Sequence, residues 1–371
     1  MAIEAFALVQ PGLEPVLHEE MSELGISSTI TDGGVTFPTS IGALYRVHWW
    51  GRIATRVWVR VGRFPAVTLD ALAASVRGLP WSRFLEPRQR LDVRVSAHAS
   101  RLRHRDRVAK KVELAIADAL RGPRRATGPR VARTPLAQVL VRIVDDVAEI
   151  SIDASGDALY RRGWRRDVGE APLRENVAAA VLRMAGWDPS EPLVDPMCGS
   201  GTFPIEAATM ALGLPSGKGR RFAFEAWPEH DASAWNRFRR EPHGRAMTPT
   251  VRGSDWNDRV IRAARDNASR AGVASPVGLD VGAVATLTRP SGRPGLVVCN
   301  PPWGERLKGA RSAWRDLGRT LVRSFGGWRV ALLVPRDQCL RDAGLALPKV
   351  AQIRISGLRV SLCVGRVRGT P

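Results

Sequence analysis

The feature that most constrains the fold is a regular alternation of short apolar segments and amphipathic segments in the C-terminal half of the chain. Strands are predicted at 191–195, 251–255, 276–281, 295–299 and 328–334, with two terminal strands at 350–356 and 359–367. Helices are predicted at 173–186, 202–212, 257–271 and 312–325. Because strands that alternate with helices pair in parallel, this pattern predicts a doubly wound α/β sheet that is mostly parallel.

The N-terminal half has a different rhythm, which predicts two smaller α+β units. The first unit contains a strand at 3–9, a helix at 11–24, a strand pair at 28–37, a helix near 40–50 and a strand at 53–61. The second contains a helix at 68–78, a strand at 91–97, a basic helix at 106–121 and strands at 138–144 and 147–153. The strand and helix order of the second unit suits a compact RNA-binding module.

The charge balance indicates a polyanionic partner. The 371 residues include 56 Lys and Arg against 36 Asp and Glu, which gives a formal net charge of +20. Such an excess favours nucleic acid, which releases counterions when basic side chains neutralise its phosphates. The alternative is that an arginine-rich, lysine-poor composition reflects a GC-rich genome.

Several classes of protein are not expected from this sequence. The first residues lack the basic region of a signal peptide, and no apolar run approaches the length of a membrane span, so we expect a cytoplasmic protein. The cysteines Cys198, Cys299, Cys339 and Cys363 show neither C-x-x-C pairs nor metal-ligand spacing with His, so no metal site or disulfide framework is predicted. The sequence does not determine the oligomeric state.

A glycine-rich loop at 195–202 follows the first strand of the predicted α/β sheet. Gly199 and Gly201 allow a ligand to approach the backbone, but neither a dinucleotide fingerprint nor a Walker loop is present. Asp195 ends the strand, where it would repel a phosphate and attract a cation. S-adenosylmethionine carries a sulfonium and an ammonium group, so it fits this loop. The alternative is a glycine turn with a helix-capping Asp.

Two further acidic residues follow the next two predicted strands. Asp255 ends strand 251–255, where its carboxylate can accept hydrogen bonds from both ribose hydroxyls of a nucleoside. Asp280 lies at the end of strand 276–281, where it can accept a hydrogen bond from an adenine amino group. Either residue alone could be a helix cap or an exposed loop residue. Three acids at consecutive strand ends favour an S-adenosylmethionine site.

The sharpest signal is Asn300-Pro301-Pro302-Trp303, directly after strand 295–299. An amino group on a base ring is a poor nucleophile because its lone pair is delocalised. If the Asn300 side-chain oxygen and the Pro301 carbonyl accept its two N–H groups, the lone pair is directed toward the methyl donor. The prolines stiffen the loop, and Trp303 offers a face on which the base can stack. The alternative is a proline-rich turn with a packing Trp.

Methylation at C5 of a pyrimidine would instead require a cysteine nucleophile. Cys198 and Cys299 lie near the predicted site, but each is interpreted as a small buried residue beside a ligand loop. The predicted target is therefore an exocyclic amino group, whose proton can leave after methyl transfer without a strong base.

At these residues the chain resembles the THUMP-domain guanine-N2 RNA methyltransferases, and more closely the branch that acts on large-subunit ribosomal RNA. The resemblance is strong over 171–306 and weak before about residue 155. It implies a ferredoxin-like subdomain at 1–60, a THUMP RNA-binding domain at 61–155 and a Rossmann-like methyltransferase domain at 156–371. It also implies S-adenosylmethionine as cofactor and structured RNA, ribosomal or transfer RNA, as partner.

The resemblance carries over residue by residue to the predicted site. The cofactor-binding residues are Asp195, Pro196, Met197, Cys198, Gly199, Gly201, Thr202, Asp255, Asp280 and Asn300. The catalytic residues are Asn300, Pro301, Pro302 and Trp303, followed by Gly304-Glu305-Arg306 as in the family. Residues 172–176 match a helix that borders the cofactor in this family, and 222–235 resemble an insertion of the ribosomal branch.

Substrate contacts are predicted for Arg103, Arg105 and Arg107 in the RNA-binding unit, and for Trp303 and Arg306 beside the catalytic motif. Two further pairs, Arg124-Arg125 and Arg161-Arg162, could extend the basic track. Each basic run could also be a solvated face. Trp303 is a departure, because the family usually has Tyr there: stacking is retained, but a contact through a phenol hydroxyl is lost.

Three alternatives remain open at this point. The same chemistry could act on transfer RNA, since related THUMP enzymes act there. A DNA adenine or cytosine amino methyltransferase shares the Asn-Pro-Pro-aromatic motif, although no sequence-reading module is evident. An RNA chaperone or assembly factor could retain a vestigial cofactor fold, which the intact Asn300, Pro301 and Gly199 loop argue against.

Overall fold

The structure is a computed structural model, which describes residues 4–121, 136–166, 173–241, 247–303 and 310–368. The described residues form two seven-stranded sheets, one in each half of the chain. Each sheet is covered by helices, so the predicted division into an N-terminal α+β half and a C-terminal α/β half is confirmed.

The N-terminal sheet contains both predicted α+β units. Its strands are β1 (Glu4–Leu8), β2 (Thr29–Thr31), β3 (Gly34–Pro38), β4 (Arg56–Pro65), β5 (Leu91–His98), β6 (Ala137–Val144) and β7 (Val147–Asp153). Its helices are α1 (Glu14–Glu23), α2 (Ile41–Trp49), α3 (Leu69–Arg77) and α4 (Arg105–Leu120). The strand order is β2-β3-β1-β4-β7-β6-β5, so β4 joins the two units into one sheet.

Strand β4 begins later than the sequence predicts and continues across the expected boundary near residue 60. It pairs antiparallel with β1 on one side and with β7 on the other. The late start is explained by a contact from α1, because the Glu20 carboxylate accepts hydrogen bonds from the backbone N–H groups of Arg52 (2.9 Å) and Ile53 (3.0 Å). These two N–H groups are therefore bonded to a side chain and not to a neighbouring strand.

Apolar spacing explains how the N-terminal elements pack. Along β7, Ala148, Ile150 and Ile152 are buried, which is the alternation expected of a strand with one face on a core. In α4 the buried side chains are Val108, Val112, Ala115 and Ile116, whose spacing places them on one helical face. Arg107 and Lys110 of α4 are exposed.

The C-terminal sheet confirms the predicted doubly wound architecture. Its strands are β8 (Leu193–Asp195), β9 (Val251–Asp255), β10 (Val277–Val281), β11 (Leu296–Cys299), β12 (Arg329–Val334), β13 (Lys349–Ile355) and β14 (Leu358–Arg366). Its helices are α5 (Glu175–Met184), α6 (Thr202–Ala211), α7 (Ala232–Phe238), α8 (Asp258–Ala271), α9 (Ala310–Ser324) and α10 (Asp337–Ala343). Strands β8 to β12 are parallel, whereas β14 pairs antiparallel with β12 and β13.

The order of the C-terminal strands defines where a ligand can bind. The order is β10-β9-β8-β11-β12-β14-β13, so the chain runs outward from β8 in one direction and from β11 in the other. Open α/β sheets bind ligands beyond the carboxyl ends of the strands at such a reversal. The crevice between β8 and β11 therefore receives the residues that follow these two strands.

Two helices were not predicted from the sequence, and one of them joins the halves. Helix α7 belongs to the 222–235 insertion, and its Trp235 packs on Tyr45 of α2 with ring centroids 4.7 Å apart. Phe224 of the same insertion lies 5.6 Å from the Tyr45 ring. The insertion therefore packs its aromatic side chains against the N-terminal half.

Candidate active site

The glycine loop connects β8 to α6 at the strand-order reversal. Gly199 and Gly201 both adopt positive φ, 53° and 88°, which L side chains rarely tolerate. A Cβ at Gly201 would also lie 3.1 Å from Ile205 Cδ1 and 3.2 Å from Ala264 Cβ. The sequence has glycine at this point because the turn into α6 requires both the conformation and the space.

Two predicted acids hold this loop through its backbone. Asp195 Oδ1 accepts a hydrogen bond from the N–H of Met197 (3.1 Å). Asp255 Oδ2 accepts from the N–H of Gly199 (3.1 Å), and its Oδ1 accepts from the N–H of Asn257 (3.0 Å). The structure thus brings Asp195, Asp255 and the glycine loop together. Each carboxylate oxygen retains a second lone pair for a ligand.

The electrostatics of these carboxyl groups favour a cation. Asp195 is 2% exposed, and burial raises its pKa well above the ordinary value, with a further increase from the charge of Asp255. Burial likewise raises the pKa of Asp255, against the two backbone hydrogen bonds that lower it. Neither residue has an ion-pair partner in the described ranges. A ligand with positive charge would supply the missing compensation.

The other predicted cofactor residues lie around this loop to different degrees. Pro196, Cys198 and Thr202 are buried in the turn and the start of α6, and Met197 is half-buried. Asp280 is exposed near the end of β10, where its register partner on β9 is Ser254, the residue before Asp255. Asp280 therefore lies at the same sheet edge as Asp195 and Asp255, but farther from the reversal.

The Asn-Pro-Pro-Trp motif follows β11 and occupies the other side of the crevice. Asn300 Oδ1 is buried and has no hydrogen-bond partner among the described residues. A buried acceptor without a donor is unfavourable unless a ligand completes it, so this oxygen is available for a substrate N–H. Trp314 of α9 donates from Nε1 to the Pro302 carbonyl at 3.4 Å, and Pro301 is buried. These contacts hold the loop.

Trp303 is half-buried and packs against the main hydrophobic core. Its Nε1 is buried, and within the described ranges it has no hydrogen-bond acceptor. The ring therefore has a fixed position beside Asn300, and its N–H remains available for a ligand acceptor. Arg306, with Gly304 and Glu305, lies outside the described residues, as do Pro172 and Arg124-Arg125.

The two cysteines beside the site are suited to packing and not to nucleophilic attack. Cys198 and Cys299 are 6% and 0% exposed. Burial raises the pKa of both thiols well above the ordinary value, and the charges of Asp195 and Asp255 raise it further. Because the thiolate is the reactive form, this environment opposes a cysteine mechanism.

Two of the predicted RNA contacts line a concave site in the N-terminal half. A cavity of about 500 Å³ is lined by Ala97, Ala99, Ser100, Arg101, Arg103, Arg105 and Asp146. Arg101 pairs with Asp146 at 3.4 Å, whereas Arg103 and Arg105 make no ion pair with a residue that the structure describes. Arg107 lies on the exposed face of α4 and is not part of this lining.

The predicted extension of the basic track through Arg162 is wrong. Arg162 is 4% exposed, and its Nε lies 3.4 Å from the carboxylate of Glu206 in α6. Arg161 is exposed beside it. A run of arginines in sequence cannot distinguish a solvated face from buried ion pairs, because the acidic partner is 44 residues away.

Neither a metal-binding cluster nor a membrane-spanning helix is present among the described residues. No group of three or more His, Cys, Asp or Glu side chains among them is arranged to hold a metal ion. None of their helices has the length and apolar character needed to cross a membrane.

Comparison with protein families agrees with this geometry. A model described as the RMKL-like methyltransferase domain matches residues 162–359. The chain belongs to the RMKL-like methyltransferase family. Models of the RlmL ferredoxin-like domain and of the THUMP domain match residues 4–58 and 66–153. The fold class predicted for all three parts is therefore confirmed.

Individual proteins give the same result. This RMKL-like chain is 41% identical over 360 residues to the ribosomal RNA large subunit methyltransferase K/L of Methylococcus capsulatus, covering 93% of this chain and 48% of that protein. The chain spans about half the length of the curated relatives it matches.

Two solved structures share the fold over nearly the whole chain. One is SMU.472, described as a putative methyltransferase complexed with SAH, with a TM-score of 0.89, 29% identity and coverage of 100% of this chain and 98% of that chain. The other is described as a predicted N6-adenine-specific DNA methylase from Listeria monocytogenes, with a TM-score of 0.88, 29% identity and coverage of 99% and 96%.

Proposed function

We propose that this chain is an S-adenosylmethionine-dependent RNA methyltransferase that modifies the exocyclic N2 of a guanine in structured RNA, with 23S ribosomal RNA as the substrate. The observation that carries the proposal is the unpartnered, buried Oδ1 of Asn300 at the strand-order reversal, opposite the two uncompensated carboxyl groups of the glycine loop. The name of the Methylococcus relative supports ribosomal RNA as the substrate.

The residues of the crevice fit S-adenosylmethionine. Asp195, Asp255 and the Gly199 loop would hold it, since buried carboxyl groups without a counter-ion suit a ligand that carries a sulfonium and an ammonium group. The SAH in the SMU.472 structure supports this choice of cofactor. When bound, S-adenosylmethionine supplies a methyl group on a positively charged sulfur.

The protein residues then act on the amino group of the base. Asn300 Oδ1 and the Pro301 carbonyl accept its two N–H groups, which directs the nitrogen lone pair out of conjugation with the ring. Trp303 supports the face of the base. The amino proton leaves after methyl transfer, so no residue with a strongly basic side chain is required at the site.

The arginine cavity gives the RNA a second contact, far from the crevice in sequence. Arg103 and Arg105 lack acidic partners among described residues, so their guanidinium groups can bind phosphates. We propose functional boundaries near residues 60 and 155, which the family matches over 4–58, 66–153 and 162–359 support. With ribosomal RNA as substrate, the enzyme would act in the cytoplasm.

A methylation assay with purified protein tests the function. Deproteinised 23S RNA, transfer RNA and duplex DNA, all from a strain that lacks the gene, are incubated with labelled S-adenosylmethionine and digested for nucleoside analysis. We expect N2-methylguanosine in 23S RNA only. Duplex DNA is included because one similar structure is described as a predicted DNA methylase. Product only in transfer RNA would show that transfer RNA, and not 23S RNA, is the substrate. Product in none of the three would overturn the proposal.

Asn300→Ala tests the role of the orphaned oxygen. Loss of one preorganised hydrogen-bond partner in an active site lowers kcat by about 10²–10³-fold. Asn236→Ala is the matched control, because Asn236 is an exposed residue of α7. Unchanged methyl transfer by Asn300→Ala would remove Asn300 from the catalytic machinery.

A further inference from the structure

Residues 156–166, which are here called the linker because they follow β7 and precede α5, contact helices α5 and α6 through buried arginines. Arg162 is 4% exposed, and the side chain of Arg165 is 10% exposed. Buried guanidinium groups need acidic or polar partners, because an uncompensated buried charge is costly. The partners of these two arginines lie on α5 and α6, next to the glycine loop.

Arg165 bonds directly to the end of that loop. Its Nη2 donates to Thr202 Oγ1 at 2.6 Å, and its Nε lies 3.3 Å from Oε1 of Glu175. Thr202 is the first residue of α6 and follows Gly201, whose φ is 88°. One guanidinium group therefore joins the linker, the start of α5 and the point where the glycine loop becomes a helix.

A second contact from the linker reaches the other side of Gly201. The backbone N–H of Arg166 donates to Asn267 Oδ1 at 3.3 Å, and Asn267 Nδ2 donates to the Ser200 carbonyl at 3.1 Å. Asn267 is fully buried on α8. The linker thus supports the residues on both sides of Gly201. It reaches Thr202 through the Arg165 side chain, and it reaches Ser200 through the Asn267 side-chain amide.

The same linker is fixed to the N-terminal half. Glu206, one turn along α6 from Thr202, is 1% exposed and pairs with Arg162 of the linker (3.4 Å) and with Arg52 (3.2 Å), which precedes β4. Helix α6 is therefore held by one arginine of the N-terminal half and one of the linker. Its first turn and the glycine loop are positioned by residues of the linker.

We propose that Arg165 is a positioning residue that holds the glycine loop in its cofactor-binding conformation through Thr202. The proposal depends on the proposed function, because it assigns the loop to S-adenosylmethionine. Arg165 itself acts through Thr202 and not through contact with reacting atoms. Outer contacts of this kind fix the geometry of the residues that bind a ligand, and their loss typically lowers affinity by one to two orders of magnitude at metal sites.

Calorimetric titration of the full chain with S-adenosylhomocysteine tests this assignment without any turnover. We expect Arg165→Gln and Thr202→Val each to weaken binding about ten-fold, which corresponds to about 1.4 kcal/mol. Both changes remove the Arg165–Thr202 hydrogen bond, and each also removes one other contact, Arg165 with Glu175 (3.3 Å) or Thr202 Oγ1 with the Leu173 carbonyl (3.5 Å). Because the main contact is shared, the double variant should lose less affinity than the product of the two single losses. Independent contributions would instead multiply to about a hundred-fold loss, and that result would overturn the proposal.

Two further variants separate positioning from general destabilisation. Thr202→Ser keeps the hydroxyl group that accepts the hydrogen bond from Arg165, so it should bind S-adenosylhomocysteine more tightly than Thr202→Val does. Arg183→Gln removes a charge that also joins the two halves, through Glu23 (2.7 Å), but does not touch the glycine loop. It should leave the affinity for S-adenosylhomocysteine within two-fold of the wild type, on the order of measurement scatter.

The outcomes distinguish this inference from the function on which it depends. If wild-type protein does not bind S-adenosylhomocysteine, the proposed function fails and this inference fails with it. If wild type binds and Arg165→Gln binds equally well, only the role of Arg165 is wrong. Binding by Thr202→Ser as weak as that by Thr202→Val would also contradict the role of Arg165, since serine still offers a hydroxyl oxygen that can accept the hydrogen bond.

Discussion

Asp195→Asn should make the unliganded protein more stable and the cofactor site weaker. Asp195 is 2% exposed, and its one hydrogen bond from the described backbone comes from Met197 N–H to Oδ1. Asparagine keeps that acceptor and removes the charge. The substitution therefore isolates the electrostatic cost of a buried carboxylate that has no ion-pair partner in the described ranges.

The sign follows from the direction of the pKa shift. Burial, and then the charge of Asp255, raise the pKa of Asp195 well above its ordinary value. The folded state therefore binds the proton more tightly than the unfolded state does. The stabilising contribution is fully present below the unfolded pKa, about 3.9, and is lost as pH rises through the raised folded pKa. The advantage of asparagine should appear over that same rise in pH.

The size of the effect follows from the same shift. One unit of pKa corresponds to about 1.4 kcal/mol, and a melting temperature moves by about 2–4 °C per kcal/mol in a domain of this size. Asp195→Asn should therefore melt higher than wild type at pH 8.5, by about 3–6 °C for each unit of pH over which wild-type Asp195 has lost its proton. Removing one partner of a buried charge pair costs about 3–5 kcal/mol, so S-adenosylmethionine affinity should fall by roughly 10²–10⁴-fold.

Thermal melts of both proteins at pH 5 and pH 8.5, with S-adenosylhomocysteine titrations beside them, provide the test. The melting difference should be smaller at pH 5 than at pH 8.5, because protonation of wild-type Asp195 removes the charge that asparagine lacks. Asp157→Asn, which changes an exposed carboxyl group, is the control and should show no comparable gain at pH 8.5. A lower melting temperature for Asp195→Asn at pH 8.5, or a difference independent of pH, would refute the reasoning.

Three other perturbations have defined outcomes. The double variant Arg103→Gln, Arg105→Gln should weaken RNA binding and reduce the slope of log K against log salt by about 0.7–0.9 per lost phosphate contact. Its binding of S-adenosylhomocysteine should be unchanged. An unchanged slope would contradict the assignment of the cavity to RNA binding. Gly201→Ala should destabilise the protein by about 1–3 kcal/mol in a denaturant melt, because φ is 88° and the added Cβ would lie close to Ile205 and Ala264. An unaltered midpoint would argue against this backbone and steric strain. Iodoacetamide at pH 7.5 should leave Cys198 and Cys299 unmodified in the folded protein and should modify both in urea, as measured by mass spectrometry. Rapid labelling of the folded protein would contradict the raised pKa of these two thiols.

The sequence was most informative for functional residues that end or directly follow a strand of the parallel sheet. Asp195, Asp255 and Asn300 each follow or end a buried parallel strand, so their positions at one sheet edge could be predicted from strand boundaries alone. The long apolar runs and the helical periodicities set those boundaries to within a few residues. The turn at Gly201 was predictable because a tight strand-to-helix turn with positive φ requires glycine.

Contacts between distant segments could not be predicted in this way. Arg162 belongs to a basic run that reads as a surface, and only the fold shows that Glu206 lies beside it. Helix α7 has few residues and its apolar side chains are aromatic, so its pattern did not reveal that Trp235 packs on Tyr45. The start of β4 depends on Glu20, more than 30 residues earlier in the chain.

The sharing of strand β4 has a consequence for the choice of RNA. Because β4 pairs with β1 on one edge and with β7 on the other, the two N-terminal units cannot turn relative to one another without breaking backbone hydrogen bonds. Because Arg52, shortly before β4, pairs with Glu206 of α6, this sheet is also joined to the half that carries the Asn300 loop. Under the proposed function, the RNA that fits is one whose folded shape presents a phosphate to the arginine cavity and a splayed guanine to Asn300 at one fixed separation, whatever the intervening sequence.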